Sequence, residues 1–134
     1  VDKFNTVMEE QGMAPLQKYI PLDVDEKTFD GVCQSEWFMP DEYKELDVVA
    51  HLYNLCKGDD ERFHRVNEEL AEFERRGMFN LLRYIIYLVD FMRENNIVWG
   101  VGRGSSVASY VLYLIGIHKI DSIQFGLDWR EFLR

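Results

Sequence analysis

This sequence has few of the residue types and patterns that indicate a disulfide, a metal site or a membrane-spanning helix. It has only two cysteines, Cys33 and Cys56, and their separation excludes a C-x-x-C pair. They are expected to be free thiols of a reducing compartment. The three histidines lack metal-ligand spacing with one another or with the cysteines, so no metal site is predicted. No apolar run approaches the ~18 residues of a membrane-spanning helix, so no membrane contact is expected.

Proline is also rare, and repeats and low-complexity tracts are missing, so the 134 residues are expected to form one globular unit. Residues 1–61 carry 15 acidic and 5 basic side chains, net −10, whereas residues 62–134 carry 9 acidic and 10 basic ones, net +1. The first portion is predicted to be an acidic, helical and irregular region with solvated carboxylates. Polyanion contact is expected only in the second portion, and DNA binding by this chain alone should be weak.

Apolar residues recur at three- and four-residue intervals along most of the chain, which predicts a mainly α-helical domain with one or two short strands. The predicted helices cover residues 2–12, 26–29, 38–57, 61–76, 80–95 and 105–115. The helix at 80–95 is apolar nearly all round and is predicted to be the buried central helix. Ile97-Val98-Trp99 is predicted to be a short buried strand.

Charged residues are assigned structural roles where helix chemistry accounts for them. Carboxylates at helix starts can accept hydrogen bonds from unpaired N–H groups. The predicted caps are Asp25, Asp59 or Asp60, Asp121 and Asp128. Asp90 could be catalytic, but a salt link with a nearby arginine such as Arg93 is the favoured interpretation. The charged positions of helix 61–76, including Arg65 and Glu69, are predicted to lie mostly on a solvated face.

A glycine-rich segment, Gly100-Val101-Gly102-Arg103-Gly104-Ser105-Ser106, connects the predicted strand to the next helix. Glycines allow the backbone to approach a ligand closely, and free N–H groups at a helix start favour an anion. The same glycines could serve only to make a tight turn. Since the spacing fits neither the dinucleotide-binding G-x-G-x-x-G nor a Walker loop, spacing alone favours the tight turn.

The residues around this turn resemble a segment of the family C bacterial replicative DNA polymerases, the DNA polymerase III alpha subunits. There a strand leads into Gly-Pro-Gly-Arg-Gly-Ser-Ala-Ala-Gly-Ser. The likeness continues with Gly116-Ile117-His118-Lys119-Ile120-Asp121, where the family has Gly-Ile-Thr-x-Ile-Asp, and with Trp129-Arg130-Glu131-Phe132-Leu133, where it has Phe-Glu-Arg-Phe-Leu. Upstream, Arg65-Val66-x-x-Glu69-Leu70 and Arg76-Gly77-Met78 are similar to the family's preceding helix. The resemblance covers residues 62–134 and indicates a palm-like helical portion.

In this family the palm is similar to that of nucleotidyltransferases, and its Gly-Ser turn binds the triphosphate of the incoming nucleotide. The resemblance implies that Arg103, Gly104 and Ser105 contact phosphate, with Gly102 and Ser106 completing the nucleotide-binding set. The residue types suit this role, because arginine pairs with phosphate oxygens through a planar fork, glycine leaves room, and serine adds a hydroxyl.

The sequence also departs from the family pattern. Val101 replaces the family's proline and Ala108 replaces its later glycine, which changes the stiffness of the turn. The family's metal-binding aspartates follow Phe-Leu-Asn-Pro-Glu-Arg, and this sequence ends at Leu133-Arg134. Because phosphoryl transfer depends on positioned metal ions, no catalytic residue or metal ligand is assigned, and the chain alone is expected to be inactive as a polymerase.

Two functions stay open from the sequence. In the first, this is a partial DNA polymerase III alpha-like protein of bacterial or phage DNA replication that contributes a nucleotide-phosphate turn. Its partners would be a deoxynucleoside triphosphate and other polymerase segments or replication proteins. No cofactor would be tightly bound, Mg²⁺ would enter only with a nucleotide, and the location would be cytoplasmic. In the second, it is a stand-alone, non-catalytic helical interaction protein whose turn is retained for packing.

Overall fold

The chain consists of helices and connecting segments. The computed structural model describes every residue from Val1 to Arg134, in two compact units, Val1–Trp37 and Phe38–Arg134. The helices are α1 (Asp2–Glu10), α2 (Glu26–Ser35), α3 (Asp41–Lys44), α4 (Val48–Cys56), α5 (Asp60–Arg75), α6 (Phe79–Glu94) and α7 (Tyr110–Ile115), with 3₁₀ helices at Ser105–Ala108 and Trp129–Glu131. The mainly helical prediction is therefore confirmed. None of these helices has the length and apolar character needed to cross a bilayer.

In the first unit, polar contacts rather than a core hold the local structure, because neither α1 nor α2 has a buried residue. The Asn5 side chain donates to Leu16 O and accepts from Leu16 N, both at 2.8 Å, which fastens the irregular segment to α1. Asp25 caps α2 as predicted, accepting from Thr28 N at 3.0 Å. The helix continues for 10 residues, well beyond the single turn predicted at 26–29.

The second unit has one hydrophobic core, to which α4, α5, α6 and α7 all contribute. The core residues are Val48, Leu52, Cys56, Val66, Leu70, Phe73, Leu82, Ile86, Val89, Tyr110, Val111, Leu112, Ile115 and Leu133. Helix α7 packs against α4, α5 and α6. Helix α6 buries Leu82, Ile86 and Val89, but Phe91 is exposed, so α6 is buried along one face rather than nearly all round.

Aspartate side chains cap the starts of α4 and α5 and so determine where these helices begin. The Asp47 carboxylate accepts from Ala50 N at 3.0 Å and begins α4, which breaks the single helix predicted over 38–57 into α3 and α4. Asp59 accepts from Arg62 N at 3.0 Å and begins α5, which decides between the two predicted caps. Between them, Lys57 ends α4 in the left-handed conformation, with φ 54°.

The predicted strand at Ile97-Val98-Trp99 is wrong. This segment forms no strand. Ile97 is 45% exposed and Val98 is 90% exposed, so of the three only Trp99 packs against the core. The physical reason is that a strand is defined by hydrogen bonds to a neighbouring strand, and this fold provides no second strand to pair with it.

The predicted helix over 105–115 is also two elements. Residues Ser105–Ala108 form a 3₁₀ helix, and α7 begins only at Tyr110. Ser109 separates them in an extended conformation, and its Oγ accepts from Leu112 N at 3.2 Å as the cap of α7. A serine hydroxyl can accept a hydrogen bond from a backbone N–H and so end one helix and begin another. The spacing of apolar residues in the sequence does not reveal such a break.

At the C-terminal end of α5, Arg76 connects the helix to the last residues of the sequence. Arg76 Nη2 donates to Leu133 O at 3.0 Å and to Arg134 O at 2.5 Å. Its Nε donates to Glu72 Oε1 at 2.6 Å, and Arg75 forms two further bonds to the same carboxylate. Hydrogen bonds from Arg75 and then Arg76 lower the pKa of Glu72 from the usual 4.5 to about 2.

We expect this carboxylate to make the folded chain sensitive to acid. Because the pKa of Glu72 is lower in the folded state, its contribution is complete above about pH 4.5 and is lost as the pH falls toward about 2. Glu72→Gln should therefore flatten the acid limb of stability, measured as the urea midpoint at several pH values. Glu74→Gln is the control, since Glu74 is exposed on the same helix. An unchanged acid limb in Glu72→Gln would contradict the assignment.

Candidate functional site: the glycine-rich turn and its support

The turn at residues 100–106 depends on two glycines in different ways. Gly102 has φ 108°, and a Cβ there would lie 2.5 Å from His118 Cβ, so a side chain has no room. Gly104 has φ 74°, but a Cβ there would meet nothing within 4 Å. Gly102 is thus required by packing and conformation together, whereas Gly104 is required by conformation alone and leaves open space beside the backbone.

Few hydrogen bonds connect the turn to the rest of the fold. Lys119 N donates to Val101 O at 2.7 Å, which ties the turn to the segment after α7. Ser106 Oγ donates to Arg103 O at 3.2 Å within the turn. The Ser106 hydroxyl is therefore engaged as a donor and offers its lone pairs rather than its hydrogen to a ligand.

The predicted phosphate-binding residues lie together on the surface. Gly102, Arg103, Gly104 and Ser105 are exposed, and Ser106 is half-buried. Arg103 lines an open cleft of about 460 Å³ whose other walls include Trp99 and Ile117. The turn thus brings one guanidinium group, two glycines and a serine to one accessible edge, and phosphate binding by these residues stays a prediction.

The N-terminus of α7 does not face this edge, because an internal carboxylate occupies it. Glu69 is fully buried, with 0% of its surface exposed. It accepts from Tyr110 N at 2.7 Å, Val111 N at 3.1 Å and Ser109 Oγ at 2.7 Å. The positive end of the α7 dipole is therefore already neutralised from within the protein. The expectation that a helix start points its free N–H groups at an external anion does not hold for α7.

A partly buried arginine completes this network. Arg65 Nε donates to Glu69 Oε1 at 2.8 Å, and its Nη2 donates to Ala108 O at 2.8 Å and Leu127 O at 2.6 Å. One ion pair thus holds the end of the 3₁₀ helix, the start of α7 and the C-terminal segment together. Since charge-assisted hydrogen bonds in a low-dielectric interior are strong only when every group is satisfied, this arrangement fixes the segment after the turn rigidly.

The prediction of a solvated face for Arg65 and Glu69 is therefore wrong. A signal for Glu69 was present, because it lies three residues after Val66 and four before Phe73, in register with the buried stripe of α5. A carboxylate on an apolar stripe four residues after an arginine indicates a buried pair. Its hydrogen-bond partners at the start of α7 lie 40 or more residues further along the chain, so the sequence around Glu69 does not indicate them.

His118 packs against the glycine-rich turn at Gly102. It is buried, its Nε2 lies 2.9 Å from Ser109 O, and its Nδ1 accepts from Ile120 N at 3.3 Å. These two contacts place the proton on Nε2, which donates to Ser109 O. Because Gly102 lies directly against His118 Cβ, the imidazole joins the glycine turn to the residue that caps α7.

The acidic residues nearest this region act as caps. Asp121 Oδ1 accepts from Ile123 N and Gln124 N, both at 3.1 Å. Asp128 Oδ1 accepts from Arg130 N at 3.0 Å, and this bond lowers the pKa of Asp128. Both capping predictions are confirmed. No group of three or more histidine, cysteine or acidic side chains lies close enough together to hold a metal ion.

Asp90 on α6 also has the structural role predicted for it. Its Oδ1 lies 3.6 Å from Arg93 Nη1, which confirms the predicted pair. It also accepts from Tyr43 Oη at 3.1 Å. Burial, together with the neighbouring Asp90 charge, raises the pKa of Tyr43 to about 12. The carboxylate therefore connects α3 to α6 and is accounted for without a catalytic role.

The fold and the turn together define a small helical domain that presents an arginine on a glycine-rich edge. Residues 44–134 match the family described as the bacterial DNA polymerase III alpha NTPase domain. The chain belongs to this family, and the resemblance seen in the sequence is confirmed.

Curated relatives agree with this assignment. The DNA polymerase III subunit alpha of Halalkalibacterium halodurans is 37% identical over 99 residues, covering 66% of this chain and 9% of the relative. That of Staphylococcus aureus is 33% identical over 86 residues, covering 64% of this chain and 8% of the relative. The chain therefore spans less than a tenth of the length of these relatives. No solved structure matches it.

Proposed function

We propose that this chain supplies a nucleotide-phosphate-binding turn to DNA replication, as part of a DNA polymerase III alpha-like system in the cytoplasm of a bacterium or a phage-infected cell. The observation that carries the proposal is an exposed Arg103 on a glycine turn, within the range that matches an NTPase-domain family. Arg103 would pair with phosphate oxygens, the open space at Gly104 would admit the phosphate, and Ser105 would add a hydroxyl.

The support behind the turn favours this role. A phosphate site gains affinity when its groups are held in place before the ligand arrives, because less conformational entropy is lost on binding. Gly102 rests against His118, and the Glu69–Arg65 pair fixes the segment that follows. With α7 neutralised internally, Arg103 and the backbone of the turn would carry the binding. Mg²⁺ would enter with the nucleotide, and further polymerase segments would supply the metal ligands for catalysis.

Arg103→Ala should weaken binding of a deoxynucleoside triphosphate in the presence of Mg²⁺. A hydrogen bond to a charged group contributes about 1.5–3 kcal/mol, which corresponds to a roughly 10- to 100-fold loss of affinity. Ser105→Ala should have a smaller effect, since a neutral hydroxyl contributes about 0.5–1.5 kcal/mol. Isothermal titration calorimetry measures both. Arg134→Ala, at an exposed terminal arginine, controls for the loss of one positive charge.

The same titration separates the second candidate function, a non-catalytic interaction protein. One observation favours that candidate, namely that Gly102 satisfies a packing requirement whatever the turn binds. In that case wild type and Arg103→Ala would bind the nucleotide equally weakly or not at all. A capture experiment with replication proteins would then identify the partner.

A further inference from the structure

A second cleft, of about 620 Å³, lies in the Phe38–Arg134 unit where the ends of several helices meet. Its basic residues come from four separate segments. They are Lys57 at the end of α4, Arg62 in the first turn of α5, Arg93 in the last turn of α6, and Lys119 after α7. No carboxylate lines this cleft. Four cations from distant parts of the sequence therefore converge on one concave surface of a protein whose net charge is −9.

The fold holds the walls of this cleft in place. Lys119 Nζ lies 5.4 Å above the centre of the Trp99 ring, within the range of a cation–π contact. The Trp99 indole donates to Gly116 O at 3.1 Å, and Arg93 Nη2 lies 3.4 Å from Ile115 O. These contacts fix two of the cations against the C-terminal end of α7.

Neighbouring carboxylates offset only part of the charge. Arg62 lies 3.8 Å from Asp59, and Arg93 lies 3.6 Å from Asp90, with both arginine side chains substantially exposed. Exposed pairs of this kind are weak and screened by salt. Two such pairs against four cations leave the cleft positive, and a concave protein surface concentrates that field and attracts anions.

We propose that this cleft binds an oligophosphate, that is, a chain of at least two adjacent phosphate groups. The cleft falls within the size range of ligand sites, about 300–1,000 Å³, and its cations lie on separate walls, so a single phosphate group would contact only some of them whereas adjacent phosphates could contact several. A free oligophosphate and a phosphodiester strand share this chemistry. The ring of Trp99 is a surface on which the bases of a strand can stack. The proposal uses none of the residues assigned to phosphate binding at the Arg103 turn, although Trp99 also borders the cleft that Arg103 lines.

The test titrates the full chain with two probes, inorganic triphosphate and an oligothymidylate of about ten nucleotides, at several salt concentrations. Lys57→Gln/Lys119→Gln removes two charges from exposed positions of the cleft. For the strand, each phosphate contact contributes about 0.7 to the slope of log K against log salt, so the slope should fall by about 1.4. Affinity near 0.1 M salt should fall roughly 20-fold on the same basis.

The matched control is Lys3→Gln/Lys27→Gln, which changes the net charge equally at exposed positions outside the cleft. Its affinity for the probe should stay within about twofold of wild type, and thermal melts should establish that both double variants fold. Stronger binding of the strand assigns the cleft to nucleic acid, and binding of triphosphate alone assigns it to free oligophosphate. Equal losses in the two double variants, or no binding of either probe by wild type, overturn the proposal. Arg103→Ala should leave binding of the strand unchanged. The triphosphate titration is made in the Arg103→Ala background, so that triphosphate bound at the turn is not counted as binding to the cleft.

Discussion

Glu69→Ala is expected to destabilise the protein by about 3–5 kcal/mol, the range found when one partner of a buried ion pair is removed. The Glu69 carboxylate accepts hydrogen bonds from the start of α7 and pairs with Arg65 at 2.8 Å. Alanine would leave the Arg65 guanidinium, whose side chain is only 17% exposed, without its charge partner. It would also leave the Ser109 hydroxyl and two backbone N–H groups without acceptors in the interior.

Urea unfolding followed by circular dichroism measures this loss. Glu74→Ala is the matched control, because Glu74 is an exposed glutamate on the same helix, and it should change the free energy of unfolding by less than about 0.5 kcal/mol. Glu69→Gln retains the shape but lacks the charge, and it should lie between the other two. Equal effects of Glu69→Ala and Glu74→Ala would show that the buried network does not stabilise the fold.

This network also marks where prediction from the sequence ends. The caps at Asp25, Asp59 and Asp128 are predictable because each carboxylate bonds to an N–H two or three residues away. The role of Glu69 depends on Ser109 and α7, which only the tertiary fold brings to it. Local chemistry therefore predicted these three caps, but it missed those at Asp47 and Ser109 and assigned the fully buried carboxylate of Glu69 to the solvent.

The segment before the turn illustrates a second limit. Ile97-Val98-Trp99 has the composition of a strand, and its β-branched residues favour extended backbone. Strand formation requires a partner strand, which this fold lacks, and the 90% exposure of Val98 is the opposite of the predicted burial. The β-propensity of these residues contained no information about whether a partner strand would lie beside them.

The sequence predicted a general role for the glycines of the turn, but it did not show which glycine has which role. From the sequence, the glycines of this segment were expected to allow a close approach to a ligand or to make a tight turn, and Gly102 and Gly104 both have positive φ. The sequence did not reveal that only Gly102 also lies against another side chain. That distinction depends on the approach of His118, 16 positions further along the chain, and it gives the two glycines different sensitivities to substitution.

Gly102→Ala should be the most damaging single-methyl change in the turn, with a loss of about 2–6 kcal/mol. Overpacking costs about 1–3 kcal/mol and an unfavourable backbone conformation about 1–3 kcal/mol. At Gly102 both apply, since φ is 108° and the new Cβ would lie 2.5 Å from His118 Cβ and 3.5 Å from its Cα. The neighbour that must move is therefore close to the backbone, and it cannot give way as the end of a flexible side chain would.

Gly104→Ala is the control for this prediction, because φ there is 74° and ψ is −168° but the space is open, so only the conformational cost of about 1–3 kcal/mol remains. A double-mutant cycle isolates the contact, since His118→Gly removes the Cβ that Gly102→Ala would strike. If the clash is the cause, the double variant should be more stable than the sum of the two single effects predicts, by about 1 kcal/mol or more. Additive effects, or equal losses in Gly102→Ala and Gly104→Ala, would mean that the backbone conformation alone determines the requirement for glycine. A positive coupling would establish that the turn packs directly against His118. The turn would then be connected to the cap of α7 as well, through the hydrogen bond from His118 Nε2 to Ser109 O.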